Sequence, residues 1–258
     1  MREFWFESSG IRLFAVEVGD NGELIVMLHG GMADHSAALP LVAPLSSRYR
    51  VITPDLRSSG KSWSGLPLTF DQLADDVEAL LDCVGVDHAV VGGVSGGSGV
   101  ALRFALRHPG RSLALLVVSP VYAGEDRGYT DEQKGAFATM DAVASRAVVE
   151  GVQVLRPLYA NLPPHVREKA LLVMEGFDPA SVVATSHFIA SGAQPFTSVR
   201  ELRSLQIPTL LVRGNDAIHP AEVSDLYASN IPNCAVVPEL VTGLSEVIDA
   251  FCTQHIAS

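Results

Sequence analysis

A serine flanked by glycines is the residue whose surroundings best suit a nucleophile. Ser95 lies in the run GVSGG at residues 93–97, after an apolar, β-branched stretch at 89–91 and before a helix-like stretch at 100–106. Glycine adopts the strained backbone angles that a sharp strand-to-helix turn requires, and such a turn lifts the hydroxyl above the sheet edge. The pattern therefore predicts a nucleophile elbow. The N–H of Gly96 and the start of the following helix would face any oxyanion formed there.

The elements around this turn alternate between strand-like and helix-like runs, which predicts an α/β fold with a mostly parallel central sheet and helices on both faces. Residues 71–83 carry apolar side chains at helical spacing, with acidic residues on the other face. A last helix is predicted from Leu244 to about residue 252. The strand-like runs are residues 11–18, 24–28, 51–53, 86–91, 113–118, 209–212 and 235–237.

The periodicity changes between residues 121 and 200. Amphipathic helical stretches, separated by glycines and prolines, follow one another there without a strand-like run. Open α/β sheets bind ligands at the carboxyl ends of their strands, which is also the edge predicted for Ser95. We therefore predict that residues 121–200 form a helical cap, and that residues 1–120 and 201–258 together form the core.

The chain resembles the α/β-hydrolase superfamily over nearly its full length. The matching segments are LHGG at residues 28–31, DLRSSGKS at 55–62, the Ser95 turn, and IPTLLVRG at 207–214. The resemblance implies an α/β-hydrolase fold and a serine hydrolase of the esterase and lactonase type, without metal or other cofactor.

The resemblance also implies roles for three further residues. The N–H groups of Gly31 and Gly96 would form the oxyanion hole, where each donor contributes roughly 3 kcal/mol in a dry site. Asp216, in GNDAIHP at residues 214–220, would be the acid of the triad. Relatives usually place two residues between the glycine and this acid, whereas this chain has one.

The base of the triad is missing from its usual place. Relatives carry a Gly-His pair between the last strand and the last helix, but this chain has no histidine between His219 and His255. The loop at 239–243 is short, and we predict a tight connection there without a base for Ser95. His219 is the first-ranked substitute, because Asp216 already fixes its loop at the pocket edge. Other histidines predicted on the correct side are His35, His165 and His187.

Composition limits the partners. The formal net charge of −11 argues against nucleic acid and anionic membrane surfaces. No apolar run approaches the roughly 20 residues of a membrane span, and no secretory leader is recognised. The three cysteines are far apart and odd in number, which favours a reducing compartment. We expect a cytoplasmic protein with a small, partly apolar substrate. The sequence does not indicate the oligomeric state.

Three functions remain open at this point. The first is hydrolysis of a small carboxylic ester, lactone or thioester through an acyl-enzyme on Ser95. The second is a non-hydrolytic reaction on the same scaffold, such as isomerase, cyclase or lyase chemistry. The third is a pseudo-hydrolase that only binds a small molecule. The glycine turn favours an enzyme, because a binding protein has no need of a strained serine.

Overall fold

Eight strands form one sheet in the part of the chain that the computed structural model describes, namely residues 1–62, 67–160, 162, 164–239 and 243–256. They are β1 (Arg2–Ser8), β2 (Ile11–Val18), β3 (Leu24–Leu28), β4 (Arg50–Pro54), β5 (Ala89–Val94), β6 (Ser112–Val118), β7 (Thr209–Val212) and β8 (Cys234–Val237). Their order is β1-β2-β4-β3-β5-β6-β7-β8. The β1–β2 and β2–β4 pairs are antiparallel, and the others are parallel. The predicted mostly parallel sheet is confirmed.

Helices cover both faces of this sheet. They are α1 (His35–Val42), α2 (Phe70–Val84), α3 (Gly96–Arg107), α4 (Asp131–Ala144), α5 (Ala147–Glu150), α6 (Pro164–Met174), α7 (Pro179–Ala190), α8 (Ala221–Asn230) and α9 (Leu244–His255). Strand side chains alternate between the faces. In β3, Val26 and Leu28 pack with the cluster that includes α2, α3 and α8, while Ile25 and Met27 pack with α1 and α9.

Two strands differ most from their prediction. β5 was predicted at residues 86–91 but spans Ala89–Val94, so it begins and ends three residues later than predicted. Its end is shifted because Gly92 and Gly93 continue the ladder beside β3 and β6. A Cβ on Gly92 would lie 2.6 Å from the Cβ of Leu116, so glycine permits this close approach. β1 was not predicted. It is an edge strand in which only Phe6 and Ser8 are buried, and it therefore lacks the apolar content of the central strands.

The segment at residues 121–200, here called the insert, lies between β6 and β7. It contains the helices α4 to α7. One 3₁₀ helix, Val152–Tyr159, lies within it, and a second, Val199–Ser204, begins at its end. No strand occurs in its described residues. Helix starts follow ordinary capping rules: Thr130 and Asp178 cap α4 and α7, and α7 begins at Pro179. The assignment of the insert as a cap domain stays a prediction.

Two further observations concern membrane-spanning helices and the cysteines. No helix among the described residues has both the length and the apolar character needed to cross a bilayer. Cys83, Cys234 and Cys252 are free thiols.

Candidate active site

Ser95 lies at the junction of β5 and α3 with an unusual backbone conformation. Its φ is 53° and its ψ is −119°, which costs a non-glycine residue about 1–3 kcal/mol. The turn is held by Ser95 N–H donating to the Val118 carbonyl at 2.9 Å and by Ser98 N–H donating to the Ser95 carbonyl at 3.0 Å. A Cβ on Gly93 would lie 2.2 Å from the carbonyl carbon of Gly97, so this turn needs glycine. The local geometry is the sharp, strained strand-to-helix turn that the prediction of a nucleophile elbow requires.

His219 connects Ser95 to Asp216. Its Nε2 lies 2.8 Å from Ser95 Oγ, and its Nδ1 lies 3.0 and 2.9 Å from the two carboxylate oxygens of Asp216. Because a carboxylate only accepts, Nδ1 carries the proton and Nε2 is free to accept from the serine hydroxyl. The structure thus brings together the three side chains that the sequence nominated, with His219 between Ser95 and Asp216.

One short loop carries both Asp216 and His219, the predicted acid and base. Asp216 Oδ1 accepts from the backbone N–H groups of Ile218 and His219 at 2.8 and 2.9 Å. Partial burial disfavours the charged carboxylate, but the hydrogen bonds from the His219 ring and these amides hold the pKa of Asp216 below its ordinary value. The loop folds back tightly onto Gly214, where a Cβ would lie 2.5 Å from the His219 carbonyl oxygen. A glycine at 214 therefore permits the turn that places His219.

The predicted oxyanion donors lie next to each other. A Cβ on Gly96 would lie 3.3 Å from the backbone nitrogen of Gly31, so the two backbones approach closely. Within the described residues, neither the Gly31 nor the Gly96 N–H has a hydrogen-bond acceptor. Gly96 is also the first residue of α3, whose N-terminus carries partial positive charge. Ile189 of α7 lies directly over Gly31, at 2.5 Å from the position of a Cβ.

An apolar cavity of about 420 Å³ opens over Ser95. The core contributes Gly31, Met32, Ser95, Gly96 and Ile218 to its wall. The insert contributes Val121, Tyr122, Ala136, Phe137, Met140, Leu158, Tyr159 and Ile189. None of these lining residues carries a formal charge, and Ser95 and the two tyrosines are the polar side chains among them.

The other candidate histidines have different partners. His35 Nδ1 lies 2.7 Å from buried Asp55, and His187 is largely exposed at 3.4 Å from Asp141. The side chain of His165 lies outside the described residues. Among the histidines whose side chains are described, His219 is the one within hydrogen-bond distance of Ser95.

The predicted tight connection between β8 and α9 lies partly outside the described residues, which omit 240–242. Its described members are an exposed Glu239 and Gly243, which has a φ of 88° at the start of α9. The prediction of a tight connection therefore stays untested.

Two side chains from the insert hold the site's loops, and the sequence patterns did not assign them this task. The Tyr159 hydroxyl donates to the carbonyl of Met32, beside Gly31, at 3.2 Å. Gln133 Nε2 donates to the carbonyls of Val121 and Ile218 at 3.0 and 2.9 Å. The capping-box spacing of Thr130 and Gln133 was a visible signal for a helix start, but not for a bond to a loop 85 residues away.

Comparisons with known proteins give the chain its family. A family model described as the alpha/beta hydrolase fold matches residues 23–243. The chain is 27% identical over 197 residues to 3-oxoadipate enol-lactonase 1 of Acinetobacter baylyi, covering 76% of this chain and 72% of that protein. It is 25% identical over 238 residues to proline iminopeptidase PfmaB of Pestalotiopsis fici, covering 82% of each.

Solved structures agree with this relationship. A thermophilic esterase from Thermogutta terrifontis, solved with malate bound, superposes with a TM-score of 0.77 at 25% identity, covering 98% of this chain and 97% of that one. The chain spans only 33% and 41% of the length of the first two curated relatives that it matches. The family match extends over most of the chain and coincides with the observed fold. The chain belongs to the alpha/beta hydrolase fold family.

Proposed function

We propose that this protein is a serine hydrolase that cleaves a small carboxylic ester, lactone or thioester through an acyl-enzyme. The observation that carries the proposal is His219, which bridges Ser95 Oγ and the Asp216 carboxylate. The absence of a histidine from the loop before α9 had argued against hydrolysis. A base that reaches the serine from the loop after β7 removes that objection.

The reaction follows from these positions. Ser95 Oγ attacks the substrate carbonyl carbon while its proton passes to His219 Nε2, and Asp216 stabilises the resulting imidazolium. The negative charge on the carbonyl oxygen accepts hydrogen bonds from the Gly31 and Gly96 N–H groups. When the tetrahedral intermediate collapses, His219 gives its proton to the leaving alcohol or thiol. A water molecule, deprotonated by the same nitrogen, then releases the acid and restores Ser95.

The cavity wall favours an uncharged, apolar acyl group. A substrate carboxylate buried there would lose its hydration without meeting a cationic partner among the lining residues, and this costs several kcal/mol. An aliphatic chain would instead pack against side chains such as Phe137, Met140 and Leu158. Because residues of the insert form much of this wall, we also propose that the insert serves as the cap of the site.

Fluorophosphonate labelling tests the central proposal, because this probe reacts with activated serines. We expect stoichiometric labelling of the wild-type protein, with the adduct on Ser95 by peptide mass spectrometry. Ser95→Ala should not be labelled. An unlabelled wild-type protein of native thermal stability would overturn the proposal and favour a non-hydrolytic enzyme or a binding protein.

A matched pair of esters tests the acyl group. The p-nitrophenyl esters of butyric acid and of succinic acid (its monoester) have four-carbon acyl chains, but the second ends in a carboxylate. We expect the kcat/KM for the butyrate to exceed that for the succinate by about 100-fold, since burying the charge raises the barrier by several kcal/mol. Equal values would refute the assignment of an uncharged acyl group.

A further inference from the structure

Gln133 connects the insert to the loop that carries the acid and the base. It lies in the first turn of α4 and is 1% exposed. Both hydrogens of its Nε2 are used, one by the Val121 carbonyl after β6 and one by the Ile218 carbonyl. Its Oε1 accepts from the Thr130 N–H at 3.0 Å. The side-chain amide is therefore fully hydrogen-bonded, and its orientation is fixed from three directions.

The loop at 214–220 needs such an anchor because much of it faces solvent. Asn215, Asp216 and Ala217 are exposed, and the internal hydrogen bonds from Ile218 and His219 to Asp216 shape the turn. At the start of the loop the Gly214 N–H donates to Ser224 Oγ of α8 at 3.1 Å, and near its end the His219 ring contacts Ser95. Within the described residues, the bond from Gln133 is the loop's one hydrogen bond to the insert. It is made at Ile218, the residue immediately before His219.

We propose that Gln133 is a positioning residue that holds His219 against Ser95, an inference that rests on the proposed hydrolase function. Gln133 fixes the Ile218 carbonyl relative to the carbonyl of Val121, the first residue of the insert, three residues after β6 ends at Val118. β6 in turn lies beside β5, which leads into Ser95. The distance between base and nucleophile is thus set through buried polar contacts, although the base lies on an exposed loop. A displacement of about 1 Å in such a pair can cost about 100-fold in rate.

The test is the rate at which a fluorophosphonate inactivates the protein, resolved into the maximal rate kinact and the half-saturating concentration KI. Gln133→Met keeps the length and volume of the side chain but removes its donors. We expect kinact to fall about 10- to 100-fold while KI stays within about twofold, because the cavity wall is unchanged. Gln133→Asn, which is too short to reach Ile218, is a second variant with the same expected result.

Thr130→Val is the matched control. It removes the hydroxyl that accepts from the Gln133 N–H at 3.1 Å, which weakens the start of α4 but leaves the Gln133 side chain in place. We expect kinact of this variant within about twofold of the wild type. A similar drop in Thr130→Val would show that the helix start matters rather than the bond to Ile218, and would overturn the proposal.

The remaining outcomes are also decisive. If the wild type is labelled and a folded Gln133→Met or Gln133→Asn reacts at the wild-type rate, the positioning role is refuted while the hydrolase function stands. If the wild type is not labelled at all, the hydrolase function itself fails. If Gln133→Met does not fold, as circular dichroism would show, Gln133→Asn decides.

Discussion

Replacing Asp216 by asparagine tests the acid–base pair through the tautomer of His219. The asparagine Oδ1 can still accept from the backbone N–H groups of Ile218 and His219, so its Nδ2 amide group would face the imidazole Nδ1. Nδ1 would then accept a hydrogen bond, and the ring proton would move to Nε2. A protonated Nε2 donates to Ser95 and cannot take its proton.

The expected loss is large but below that of a fully buried triad. An aspartate-to-asparagine change in a buried triad lowers kcat about 10⁴-fold. The Asp216 side chain is 60% exposed, so solvent screens part of its effect and lets the ring turn. We therefore expect kcat/KM for p-nitrophenyl acetate to fall about 10³-fold, which corresponds to about 4 kcal/mol in the barrier.

Asp225→Asn is the control for this prediction. Asp225 is also 60% exposed and lies on α8, where it pairs with Arg213 at 2.9 Å, away from the imidazole. Its replacement removes the same charge from the same region and should leave kcat/KM within about twofold, as exposed pairs contribute little. A loss below about tenfold in Asp216→Asn, or an equal loss in Asp225→Asn, would refute the tautomer argument.

Three further predictions follow from the packing. The free energy of unfolding in urea should be about 1–2 kcal/mol higher for Ser95→Gly than for Ser95→Ala, because glycine adopts the positive φ of this position without strain. Equal values would contradict a strained backbone at Ser95. Asp76→Ala should lower the free energy of unfolding by about 3–5 kcal/mol in the same assay, since it leaves the fully buried Arg57 guanidinium without its carboxylate. A decrease under about 1 kcal/mol would contradict the importance of this buried ion pair. Gly214→Ala should lower kcat/KM for p-nitrophenyl acetate at least about tenfold, because its Cβ would displace the His219 backbone; wild-type turnover would show that the loop can yield.

Much of the fold was predictable because the central strands are buried on both faces. β3 and β7 read as continuous apolar runs, and their observed bounds match the predicted ones at 24–28 and 209–212. The edge strand β1 gave no such signal, since its side chains are mostly exposed. The extension of β5 through Gly92 was missed because glycine is unfavourable in a strand unless a neighbouring backbone requires its small size, and only the assembled sheet shows that neighbour.

In the site, too, residues within short motifs were predictable, whereas contacts between segments far apart in sequence were not. Ser95 and Gly96 were nominated from the glycine-flanked turn, because a short motif of this kind determines its own backbone conformation. Gly31 was nominated from the resemblance to the α/β-hydrolase superfamily. His219 was ranked first among several histidines near the correct edge, but deciding among them required the distance between two loops that lie 124 residues apart in sequence. The bond between Gln133 and Ile218 depends on how the insert packs against the core, and no local spacing reports that.

The most direct test of the whole account is the effect of His219→Ala on ester hydrolysis and on Ser95 labelling. We predict that kcat/KM for p-nitrophenyl acetate falls at least about 10³-fold and that fluorophosphonate labelling slows in parallel, because no other histidine with a described side chain lies within hydrogen-bond distance of Ser95. His187→Ala, which removes an exposed histidine of the insert, should leave both rates within about twofold. A His219→Ala protein that retains more than about a tenth of the wild-type rate, or a His187→Ala protein that loses as much, would contradict His219 as the base.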